Sequence, residues 1–96
     1  MDAGSWYVLV ETNHTGQEGQ NHAGAITETR PFRTREEALA DAARLTQTYM
    51  KPRVMKEKGR WIFRTGPESW LVLSQRSMHR PYFRVWVAYL EQWIPS

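Results

Sequence analysis

The stretch KPRVMKEKGRWIFRTGPESWLVLSQRSMHRPYFRVWVAYLE (Lys51–Glu91) decides the fold. Short apolar runs follow one another in it, separated by turns that contain Gly or Pro. That punctuation reads as an antiparallel meander. Arg53–Lys56 predicts a short strand. Glu57-Lys58-Gly59 predicts a turn, with Gly59 free to take a positive φ. From Arg60 to Arg64 the period of two sets Trp61 and Phe63 on one face and Arg60, Ile62 and Arg64 on the other. Thr65-Gly66-Pro67-Glu68 predicts the next turn. Ser69–Gln75 divides Trp70 and Val72 from Leu71 and Leu73. Both of its faces are apolar, which places this strand inside the sheet. Arg76–Pro81 is a third connection, and Tyr82–Glu91 is the longest strand. Its face with Phe83, Val85, Val87 and Tyr89 reads as the core side, leaving Tyr82, Arg84 and Trp86 on the other.

Upstream lies the clearest helix signal. Thr34-Arg-Glu-Glu37 fits a capping box, with Thr34 as N-cap and Glu37 at the third helical position. Glu36 and Glu37 sit where the macrodipole favours negative charge. Ala38, Leu39, Ala42, Leu45 and Tyr49 recur at three- and four-residue spacing and form one apolar stripe, with Arg35, Asp41, Arg44 and Gln47 off it. Pro52 stops the helix by Met50 or Lys51. An Ala-rich stripe lets the helix sit close to the sheet that it covers.

Further upstream, Ser5–Thr12 alternates Trp6, Val8 and Val10 with Tyr7, Leu9 and Glu11. It is apolar on both sides until Glu11, as in a strand with neighbours. Residues 13–24 are polar, with three glycines, and predict a long flexible loop. Ala25–Arg30 carries Ile26 amid Thr27, Glu28 and Thr29 and predicts a short second strand, hairpinned to the first. The expected order is therefore β-(β)-α-β-β-β-β. This is a single small α+β domain over residues 1–96, with a mostly antiparallel sheet of about five strands and one amphipathic helix packed on one face. One helix cannot cover both faces, so the other is left for water, a ligand or a partner. Trp93 in the apolar tail is expected to dock on the rest of the chain.

Composition bounds the function. A chain of 96 residues, 41% hydrophobic and 24% charged, has room for one core. With no cysteines, disulfides, thiolate metal sites and a cysteine nucleophile are excluded. The lack of cysteine, of an apolar span and of a signal-peptide pattern leads to a cytoplasmic expectation. Catalysis is not expected. His14, His22 and His79 lack metal-ligand spacing, the only Asp residues, Asp2 and Asp41, fall in the terminus and on a helix face, and Glu36 and Glu37 are explained by capping. Gly16-Gln-Glu-Gly19 lacks the Gly-Lys-Ser/Thr ending of a phosphate loop. No metal and no cofactor is expected.

Charge is uneven. Residues 1–29 carry four acidic and no basic side chains, whereas residues 30–96 carry all 13 basic ones against six acidic. Nine of them, Lys51, Arg53, Lys56, Lys58, Arg60, Arg64, Arg76, Arg80 and Arg84, are threaded among Trp61, Phe63, Trp70, Tyr82, Phe83, Trp86 and Tyr89. A basic, ring-bearing sheet can stack bases and hold phosphates, which gives single-stranded DNA or RNA binding as one reading. Aromatics and Arg are also enriched in protein interfaces, which gives protein contact or self-association as the favoured one. Arg stems covering a half-solvated strand, and an Arg-rich coding bias, explain the same pattern without any site. The binding candidates are Arg60, Arg64, Tyr82, Arg84 and Trp86, with Arg76 and Arg80 at one end. No small-molecule substrate and no membrane partner is indicated.

Overall fold

The computed structural model describes residues 3–12, 24–49, 57–75 and 81–96. The strands are β1 (Trp6–Thr12), β2 (Ala25–Phe32), β3 (Gly59–Gly66), β4 (Ser69–Gln75) and β5 (Tyr82–Tyr89), and the helix is α1 (Arg35–Thr48). The strands form one antiparallel sheet in the order β2-β1-β5-β4-β3. β1 and β2 make a hairpin. The chain then crosses through α1 to the far edge, and β3, β4 and β5 return as a meander that ends against β1. The two strands read as apolar on both sides, β1 and β4, each lie between two neighbours.

The helix covers one face. Thr34 Oγ1 accepts from the Glu37 N–H at 3.1 Å, and the Glu37 carboxylate accepts from the Thr34 N–H at 3.2 Å, closing the capping box. Ala38, Ala42 and Leu45 pack on Val8 and Val10 of β1, Trp70 and Val72 of β4, and Phe83, Val85 and Val87 of β5. Val8, Val10, Val72 and Val85 have no solvent exposure at all. Small helix residues over β-branched strand residues fit because Ala lets the axis approach the pleat while Val fills it.

β2 spans eight residues although its pattern is weak. It is an edge strand and largely exposed, so nothing forces alternation on it. Pro31 is tolerated there because an edge strand has one side free of ladder bonds. A bulge opposite Val10/Glu11 leaves Thr27 between the paired residues Ile26 and Glu28. Its hydroxyl donates to the Val10 carbonyl at 3.4 Å and lies 3.0 Å from the Tyr49 hydroxyl at the helix C-cap, tying β2 to α1.

Four expectations are corrected. Gly59 is not a turn residue: it opens β3 opposite Gln75, and the positive-φ glycine among the described residues is Gly4, at φ 83°, just before β1. Asp41 does not face water. It is 8% exposed, accepts from Arg30 at 2.8 and 3.2 Å and from Arg44 at 2.5 Å, and so joins α1 to β2. Trp93 does not dock on the described residues; it is 66% exposed. β5 is no longer than β2 or β3 and ends at Tyr89. The predicted strand at Arg53–Lys56, the loop at 13–23 with His14 and His22, the Pro52 stop, and Arg76 to Arg80 with His79 lie outside the described residues. Among the described residues, no helix is long and apolar enough to cross a membrane.

Candidate functional site: the open face of the sheet

Residues directly opposite in antiparallel strands point to the same side, so the register lays out the face away from α1 as rows. One row is Leu9, Trp86 and Ser69. The next is Glu11, Arg84, Leu71 and Phe63, and the third is Tyr82, Leu73 and Trp61. Leu9, Leu71, Leu73, Tyr82 and Trp86 are half-buried by one another. Trp61 and Phe63 reach further out on the edge strand, at 43% and 47% exposure. Tyr7, beside Ala88 at the near end of the same face, is buried. The described helix lies entirely on the other side, so this apolar patch has no covering element among the described residues.

Arg84 stands near the middle of the patch, exposed, with Tyr82 and Trp86 two residues to either side along β5. Glu11 is directly opposite it on β1, yet no ion pair closes between them among the described residues. The Glu11 carboxylate lies against Gly24, where a Cβ could not fit without moving it. Beside Arg84 the surface sinks into a hollow of about 480 Å³, lined by Glu11, Thr65, Ser69, Leu71, Arg84 and Trp86. In the hollow the Thr65 hydroxyl donates to Ser69 Oγ at 2.8 Å.

The structure brings Tyr82, Arg84 and Trp86 together, and it separates them from Arg60 and Arg64. Those two project from β3 towards the helix side. The Arg60 side chain is 9% exposed and bonded to Glu57, itself 7% exposed, at 3.1 Å. It donates to the Thr46 and Tyr49 carbonyls, each at 3.0 Å, and lies 5.6 Å over the Phe83 ring. The last turn of α1 has no basic residue of its own, so Arg60 supplies from a strand the donors and positive charge that helix end needs. Arg64 donates to the Gly66 and Pro67 carbonyls at 2.9 and 2.7 Å and sits 4.6 Å over the Trp70 ring. Arg60 is a nearly buried structural cation bonded through all three of its nitrogens, whereas Arg64 is exposed and bonded through two of them. Arg76 and Arg80 lie outside the described residues. Reading by strand period put Arg60 and Arg64 on one face but could not show that the helix end lay above Arg60.

Among the described residues, no group of three or more His, Cys, Asp and Glu gathers into a metal-holding arrangement. Comparison with known family models, curated proteins and solved structures finds no match to this chain.

Proposed function

We propose that the open face of the sheet docks a polypeptide partner, and that the chain works as a non-catalytic interaction module. The observation that carries this reading is the make-up of the three rows. They hold three rings from Tyr82, Trp86 and Phe63, a fourth from Trp61, and the leucines Leu9, Leu71 and Leu73, with Arg84 as their one cation. Rings and leucines around a central Arg match the residue types enriched in interface cores, and Glu11, opposite Arg84, is the one acidic residue in the rows. Burying them against another chain removes apolar area from water at about 25 cal/mol per Å² before the costs of association.

The nucleic-acid reading needs several cations beside the rings, because phosphates supply most of the affinity for a single strand. Arg84 alone meets that need on this face among the described residues. Arg60 and Arg64 project to the helix side, Arg60 bonded to Glu57 and the helix-end carbonyls and Arg64 to the Gly66 and Pro67 carbonyls of its own hairpin. A protein partner is therefore the better fit.

The test is a photo-crosslinking amino acid placed at Trp86, with the same group at Arg44 on the exposed helix surface as reference. In cells that express the chain, the Trp86 position should give a discrete adduct that protease digests and nuclease does not. A nuclease-sensitive adduct would move the assignment to RNA or DNA. No adduct above the Arg44 background would overturn the docking reading.

A further inference from the structure

The two edges of the sheet are built differently. β2 carries Pro31, the charges of Glu28 and Arg30, and a bulge at Thr27. Proline, charge and bulges are the devices that keep an edge from pairing with another strand. β3 has none of these over its centre. Trp61, Ile62 and Phe63 follow one another there, at 43%, 42% and 47% exposure, with apolar side chains on both faces of the strand. Its bulge, at Thr65, lies at the hairpin end. Among the described residues nothing pairs with its outer side.

We propose that β3 pairs with β3 of a second copy of this chain, antiparallel about Ile62, joining two five-stranded sheets into one of ten. What selects a second copy over another protein is the symmetry of the segment. Arg60-Trp61-Ile62-Phe63-Arg64 reads as basic, aromatic, aliphatic, aromatic, basic in either direction. A two-fold axis normal to the sheet at Ile62 pairs each residue with one of the same side of the sheet, as an isologous contact requires. Trp61 then faces Phe63 of the second copy, and Phe63 faces its Trp61, giving two aromatic cross-strand pairs on the open side. Ile62 meets its own counterpart on the helix side.

The arrangement sets Arg60 opposite Arg64 of the other copy, and like charges in that position oppose pairing. Here both guanidinium groups are turned back into their own chain. Arg60 is held by Glu57 and the helix-end carbonyls, and Arg64 by the Gly66 and Pro67 carbonyls and the Trp70 ring. The repulsion that would disqualify an ordinary Arg-flanked edge is thereby reduced. The two open faces would run on into one another with both helices on the opposite side. The proposal shares Trp61 and Phe63 with the docking reading but does not depend on it, because its contact is the backbone edge of β3 and not Tyr82, Arg84 and Trp86 at the centre of the face.

The experiment is mass by light scattering on the purified chain over a concentration series reaching about 100 μM, a range suited to micromolar affinity. The expected mass rises to twice the 11.3 kDa of one chain. Ile62→Lys should hold it at one chain with unchanged circular dichroism, since Ile62 is exposed and lies away from the open face. Trp86→Ala should leave the doubled mass in place. A chain that stays single throughout the series overturns the proposal, and the edge is then free for a strand of another protein. A doubled mass lost in Trp86→Ala but kept in Ile62→Lys also overturns it, while leaving the docking face intact as the contact. As a charge-free second variant, Ile62→Cys introduces the one thiol of a cysteine-free chain. Mild oxidation should link it into disulfide dimers faster than Glu36→Cys on the helix, and equal rates would contradict the axis at Ile62.

Discussion

Arg60 is the residue on which most of the local architecture converges. It joins β3 to the end of α1, neutralises the nearly buried Glu57, and covers the Phe83 ring. Removing one partner of a buried pair leaves the other charged and poorly solvated, at a cost of about 3–5 kcal/mol. Arg60→Met should lower the unfolding free energy in urea by that order. Glu57→Gln with Arg60→Met should cost less than Arg60→Met alone, since no uncompensated carboxylate remains. A loss below about 1 kcal/mol for Arg60→Met would show that the clamp is not structural. The alternation of β3 already put Arg60 with Ile62 and away from Trp61, so its side of the strand was legible. Its role was not, because the carbonyls that it caps belong to Thr46 and Tyr49, and sequence spacing carries no record of where a helix end lands. Asp41 was obscured in the same way: it looked like a surface charge beside an Ala stripe until Arg30 arrived from β2.

At the scale of elements, local signals were strongest where the chain satisfies itself nearby. The capping box at Thr34 and Glu37 closes within one helical turn and was legible residue by residue. Thr34→Ala should destabilise the fold by about 1 kcal/mol, read as a lower urea midpoint with an unchanged slope. No change in midpoint would mean that tertiary packing alone sets the helix start. The strands β4 and β5 were legible because they lie inside the sheet and their periods are enforced by packing. β2 was faint for the opposite reason: an exposed edge strand tolerates Thr, Glu, Arg and Pro in any order. The same contrast separates the two edges in sequence, since β2 carries its proline, charges and bulge along its length, whereas β3 has its charges and bulge on either side of an apolar centre.

At the scale of the whole molecule, the charge imbalance that suggested a polyanion partner is divided among different surfaces. Arg30, Arg35, Arg44, Arg60 and Arg64 are bound to carboxylates or carbonyls at the helix side and the edges. Arg84 is left with the rings. What the composition presented as one basic aromatic strip is two surfaces, one holding the helix to the sheet and one facing outward. On the proposed function, the outward surface is covered when the protein is at work. Hydroxyl-radical footprinting tests it with the chain's own tryptophans, comparing dilute purified protein with the same protein in fresh lysate of the expressing cells. Trp93, fully outside the patch, and Trp70, buried under the helix, serve as references for open and closed. Trp86 and Tyr82 should be modified in the purified chain and protected in lysate, with Trp93 modified in both. Equal modification of Trp86 in the two samples would contradict it.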